Sequence, residues 1–220
     1  MPFVRLIAIV FVLSALVCVG CSQAPFEVWV VDSLTKVFPD DLPPTAPDTT
    51  HELFIPRNGH GSFQVAVRPL KEVENFTIEL DTPTPFEATL HQVGTVTVRA
   101  NTPDSEAVEL IRTAPGEFPD PLFETIPDKL SADRTEVFWV SVYVPSDAEP
   151  GDYEGTITIR SATSQVSSLP FSVKVSKARV PEVQTLKVTN WFSTSQQHFE
   201  NYYPLEGDRE NYWKVMENIG

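Results

Sequence analysis

At 220 residues the chain has room for one domain and part of another, and 30 acidic against 16 basic residues give it a formal net charge of −14. So acidic a body argues against nucleic acid and anionic membrane surfaces as partners. Twenty prolines against nine glycines rule long helices out of most of the length.

Residues 1–20 read as a leader. Arg5 supplies a short positive region, and Leu6 to Val19 carry no charge over a run shorter than the ~20 residues a spanning helix needs. Cys18-Val-Gly-Cys21 resembles a bacterial lipoprotein cleavage box, with Gly20 directly before the cysteine to be acylated. Cys18 stands where that pattern usually has leucine, and an ordinary secretory signal cut nearby is the alternative. Lipid attachment at Cys21, with Ser22 resembling signals sorted onward, implies a bacterial cell envelope protein anchored at the outer membrane or cell surface. Both cysteines lie in this segment, so the remainder forms no internal disulfide and depends on its core. Removing the leader takes the charge from −14 to −15, because Arg5 is its one charged side chain.

Residues 21–25 form a tether, and alternation then predicts short strands. Phe26 to Val31 sets Phe26, Val28 and Val30 against Trp29 and Val31. The Pro- and Asp-rich loop from Asp32 to Thr50 lacks the D-x-D-x-D-G spacing of a calcium loop. Strands follow over His51–Ile55 and Ser62–Arg68, with Asn58-Gly59 as a tight-turn pair between them. Phe76 to Leu80 and Thr95 to Ala100 alternate cleanly, the second with Val96 and Val98 on one face. Val108 to Arg112 is a shorter apolar run, and Phe118-Pro-Asp-Pro-Leu122 reads as an extended ribbon lying across the sheets.

From Thr135 to Arg160 two alternating runs flank Pro145–Gly151, predicting an antiparallel hairpin. Phe138, Val140, Val142 and Val144 share one face of its first strand, with Val137, Trp139, Ser141 and Tyr143 on the other. A strand apolar on nearly both faces needs cover on both, which places Trp139 in the inter-sheet core or at a domain junction. In the second run Tyr153, Gly155, Ile157 and Ile159 share a face. A last strand runs over Pro170–Ser176, with Phe171, Val173 and Val175 inward. The expected fold is mostly β: an antiparallel β-sandwich over residues 26–181. Residues 182–220 change character. A strand at Leu186–Phe192 and a helix capped by Asp208, with Tyr212, Trp213, Met216 and Ile219 on its apolar side, read as the first βα unit of a truncated (β/α) barrel.

Several of these segments resemble one family. Trp139-Val-Ser-Val-Tyr-Val-Pro145 followed by Pro150-Gly-Asp-Tyr-Glu-Gly155 is similar to a signature that closes the β-sandwich preceding the barrel in glycoside hydrolase family 123 and its relatives. Trp29 with Ser33 and Lys36-Val37 resembles the opening strand and its exit. Arg57-Asn58 with Gln64 matches in part an "R-N-E-x-x-x-x-Q" segment whose glutamate is Gly59 here, and Phe118–Leu122 resembles "Y-P-D-P-L". The resemblance covers Trp29 to Gly220. It implies a parent hydrolase acting on glycans ending in N-acetylgalactosamine, with an adjacent Asp-Glu pair further along the barrel, so that no catalytic residue lies in this chain. In such enzymes the substrate's acetamido oxygen takes the place of the nucleophile.

The residue types otherwise offer little chemistry. His51, His60, His91 and His198 are scattered and indicate no metal site, and nothing implies a cofactor. His60-Gly-Ser62 lacks the elbow a nucleophilic serine requires. Glu124, Glu136 and Glu149 read as solvated surface carboxylates. Asn190, Trp191 and Phe192, at the C-terminal end of the first barrel strand, are the candidate substrate-binding residues. Two functions compete: the non-catalytic N-terminal domain of a membrane-anchored glycoside hydrolase, whose missing barrel takes the glycan, and a stand-alone glycan-binding or scaffolding lipoprotein.

Overall fold

The computed structural model describes residues 25–102, 106, 108, 110–162 and 166–183. The chain divides after Val180 into two units, Met1–Val180 and Pro181–Gly220. Cys21, the strand at Leu186, the helix after Asp208 and the trio Asn190, Trp191 and Phe192 all lie outside the described residues.

Eleven strands make up the described fold: β1 (Phe26–Asp32), β2 (His51–Arg57), β3 (Gly59–Pro69), β4 (Val73–Glu74), β5 (Thr77–Asp81), β6 (Glu87–Val98), β7 (Gly116–Phe123), β8 (Lys129–Leu130), β9 (Glu136–Val144), β10 (Gly151–Arg160) and β11 (Val166–Arg179). They form a five-stranded sheet ordered β1-β3-β9-β6-β7, a four-stranded sheet ordered β2-β11-β10-β5, and a small β4-β8 pair. All pairings are antiparallel except β2 with β11. The two large sheets share one core, with Phe63, Val65, Phe138, Val140 and Val142 from the first meeting Ile55, Ile157, Ile159, Phe171 and Val173 from the second. Phe63 and Phe171 pack across it with ring centroids 5.4 Å apart, and Phe138 stacks on Phe76 at 5.3 Å. At Gly155 an added Cβ meets the Phe171 ring at 2.2 Å, so only glycine lets β10 and β11 close there.

The inward sets expected of β1, β9, β10 and β11 are the ones observed, but the expected hairpin is absent. β9 lies between β3 and β6, so both its edges are taken. The chain therefore crosses to the other sheet, where β10 pairs with β11 and β5, and Ala148 plugs the crossing at 4% exposure. Periodicity decides which face of a strand is buried, not which sheet it joins. Asn58-Gly59 is likewise a corner and not a hairpin turn, since β2 and β3 belong to different sheets. Asn58 takes a φ of 56°, and a Cβ on Gly59 would lie 2.7 Å from the Pro56 carbonyl oxygen.

Three further expectations need correction. β6 begins at Glu87, and its core contacts come from Ala88 and Leu90, whereas Val96 is 42% exposed. The run at Val108–Arg112 joins no core, with Val108 and Ile111 both exposed. Phe118–Leu122 is extended as expected but belongs to β7, the edge strand beside β6. Edge strands tolerate Pro119 and Pro121 because one side needs no ladder donors.

Candidate ligand-binding face

The outer side of the five-stranded sheet is unlike a solvated sheet face. Where β3, β9 and β6 lie side by side, register builds three cross-strand rows: His60, Tyr143 and Glu87; then Ser62, Ser141 and Thr89; then Gln64, Trp139 and His91. Successive rows stand ~6.8 Å apart, two residues of an antiparallel strand. Past the third row the face turns apolar. Trp29, Ala66 and Val137 form a second cluster, covered by Val37 from the loop after β1. Gln64 marks the border. It is 4% exposed, and its Nε2 donates to the carbonyls of Asp32 and Thr35, each at 2.8 Å, fixing the start of that loop. Arg112 holds the loop further along, pairing with Asp40 and Asp41 while its guanidinium lies 3.7 Å from the centre of the Phe38 ring. Asp40 and Asp41 are thus committed to protein contacts, and the described residues hold no metal-binding group of three His, Cys, Asp or Glu.

Trp139 sits on this outer face, half-buried, and not in the inter-sheet core. Its indole N–H donates to Ser141 Oγ at 2.9 Å, and Ser141 Oγ lies 3.1 Å from Ser62 Oγ. In the first row the His60 and Tyr143 rings pack with centroids 4.7 Å apart. The Tyr143 hydroxyl donates to Asn58 Oδ1 at 2.8 Å, and Asn58 Nδ2 donates to the Val180 carbonyl at 3.0 Å. The Val180 N–H donates to the Arg57 carbonyl at 2.9 Å. The corner before β3 therefore fastens the last residue of the sandwich.

Beyond the covered half of the face, an open depression of about 480 Å³ is lined by Asn58, His60, Tyr143, Ser141, Glu87 and Thr89. Among the described residues no side-chain hydrogen bond engages His60, Glu87 or Thr89. In the third row His91 Nδ1 is buried without a partner. The opposite outer face, on the four-stranded sheet, carries Glu52, Glu79, Asp152, Glu154, Arg160 and Lys174 around an exposed Phe54. What the first face offers chemically is recognition by aromatic rings, hydroxyl and amide groups, and one carboxylate, Glu87.

The histidines do not converge. His60 and His91 are two rows apart, and His51 belongs to the other sheet, stacked 4.8 Å from Phe63, where burial holds its imidazole below the ordinary range. Glu124 and Glu149 are exposed, as expected. Glu136 is not a surface carboxylate: its side chain is 14% exposed and accepts from Gln92 Nε2 and Arg134 Nε, both at 3.0 Å. The polar ladder itself was missed in the sequence. Alternation already set Trp139, Ser141 and Tyr143 on one face, but only strand pairing brings them to His60 and Ser62.

No protein-family model and no curated protein matches the chain. Among solved structures, a family 123 glycoside hydrolase from Clostridium perfringens, described for glycolipid glycan hydrolysis, superposes with a TM-score of 0.58 at 12% identity. The match covers 71% of this chain and 28% of the hydrolase, so the chain spans well under a third of that enzyme. The secreted serine protease VesC from Vibrio cholerae matches more loosely, at a TM-score of 0.32 and 8% identity over 56% of this chain and 21% of its own. PapD-like domain 7 of human CEP192 gives 0.34 and 8% over 81% and 100%. The chain shares the β-sandwich fold found in a family 123 glycoside hydrolase structure.

Proposed function

We propose that residues 26–181 are the non-catalytic N-terminal sandwich of a glycoside hydrolase, held at a bacterial cell envelope through a lipid on Cys21, with the glycan-cleaving groups on a (β/α) barrel that begins near residue 182. The observation that carries this reading is the fold shared with the Clostridium perfringens hydrolase. The segments resembling family 123 support it, since four of them fall within the shared sandwich. By that resemblance the substrates are glycans ending in N-acetylgalactosamine; Asn190, Trp191 and Phe192 are the candidate substrate-binding residues by their position in the expected barrel strand. The nucleotide sequence beyond codon 220 tests the reading. An open frame encoding a barrel of about 250 residues with an adjacent Asp-Glu pair supports it; an in-frame stop overturns it. A second reading, a stand-alone glycan-binding lipoprotein, draws on the aromatic and polar depression at His60 and Tyr143.

A further inference from the structure

We infer that the depression at His60 and Tyr143 is itself a binding site for a neutral oligosaccharide. The inference deepens the glycan reading above and rests on it for the class of ligand. The geometry supplies what a sugar ring requires. The His60 and Tyr143 rings, packed at a 33° tilt with centroids 4.7 Å apart, line the depression with aromatic surface for the apolar C–H side of a pyranose. The Glu87 carboxylate stands in the same row and the Thr89 and Ser141 hydroxyls in the next as partners for its hydroxyl groups, and Glu87 and Thr89 carry no competing protein hydrogen bond among the described residues. Tyr143 is immobilised through Asn58, so its ring is set before a ligand arrives and ordering it costs the complex little.

Charge selects among sugars. The depression is lined by one carboxylate, Glu87, and by no lysine or arginine, on a chain whose net charge is −14. An anionic glycan would meet repulsion with no cation to offset it.

The experiment titrates the purified protein by calorimetry and by amide chemical shifts, using N-acetyllactosamine, its sialylated form, and a panel of other neutral oligosaccharides. Saturable binding of a neutral glycan, with shifts confined to β3, β6 and β9, is expected. His60→Ala should weaken it roughly tenfold, since the rings supply the largest contact. Lys174→Ala, on the opposite face, should leave it unchanged. Because His60 is exposed, its loss should not unfold the protein, and an unaltered melting midpoint checks this. Failure of every neutral glycan to saturate, unchanged affinity in His60→Ala, or equal binding of the sialylated form each overturns the inference. The hydrolase reading is decided separately, by the reading frame beyond codon 220.

Discussion

Replacing Asn58 asks whether the corner between β2 and β3 fastens the end of the sandwich. Asn58 combines a φ of 56° with two side-chain hydrogen bonds, one accepted from the Tyr143 hydroxyl and one donated to the Val180 carbonyl. Asn58→Gly keeps the backbone conformation and removes both bonds. At ~0.5–1.5 kcal/mol each, the expected loss is about 1–3 kcal/mol. Asn58→Ala removes the same bonds and adds the left-handed penalty of a residue with a Cβ, so it should be less stable than the glycine variant by a further ~1 kcal/mol. Asn58→Asp separates the two bonds. Its carboxylate still accepts from Tyr143, but it has no hydrogen for Val180, and the Val180 amide should exchange faster with solvent.

Urea unfolding at constant slope gives the three differences. Tyr143→Phe removes the same hydroxyl from the other side, so the double variant Asn58→Gly with Tyr143→Phe should lose ~0.5–1.5 kcal/mol less than the two singles summed. If Gly and Ala variants coincide with the parent to within about 0.5 kcal/mol, the corner does not fasten the exit and the coupling argument fails.

The remaining expectations concern the core, pH and anchoring. Phe138→Ala empties a fully buried site stacked on Phe76 and should cost ~3–5 kcal/mol, whereas Trp139→Ala, on the half-covered outer face, should cost about 1–2; equal losses would return Trp139 to the core. Burial holds the His51 imidazole below its ordinary 6.5, against smaller opposing effects of Asp32 and Asp48. The unfolded chain therefore takes up that proton first, stability is full above 6.5 and falls as pH drops through it, and His51→Phe should flatten the slope of urea midpoints against pH. Cys21→Ser should shift the protein expressed in a bacterial host from the membrane to the soluble fraction; a parent chain already soluble and unacylated by mass spectrometry contradicts the anchor.

The inward residues of β1, β9, β10 and β11 were legible because a strand with one buried face must alternate, and alternation survives any choice of neighbours. Strand pairing was not. The turn residues at Pro150-Gly151 and Asn58-Gly59 mark reversals, and a reversal within one sheet carries the same residue types as a crossing between two. What separates them is long-range: β9 already has β3 and β6 on its edges, and its middle partners there, Phe63 for Val140 and Leu90 for Val140, lie far off in sequence. The same limit hid the polar ladder. Glu136 was misjudged for a related reason, since its cover comes from Gln92 on a neighbouring strand.

Pairing also changes what the resemblance to family 123 means. The matching residues divide between the core, where Val140, Val142 and Val144 are fully buried, and positions that fasten loops to one face. Among the fasteners, Gln64 holds the loop after β1, Asn58 holds Val180, Trp139 donates to Ser141 on the outer ladder, and the Pro119 carbonyl accepts from Lys36 Nζ at 2.9 Å. A β-sandwich core can be filled by many combinations of valine, isoleucine and phenylalanine, so core positions alone specify the fold loosely. Side chains that bind loop carbonyls at fixed distances have no such freedom, because a substitute leaves a buried polar group unpaired at a cost of ~1–3 kcal/mol. A short motif in a sandwich of this kind therefore records how its loops and exit are fastened to one face. Gly59 stands where the family pattern has glutamate, and a side chain there collides with Pro56, whereas the matching positions on either side, Asn58 and Gln64, are ones that fasten chain segments.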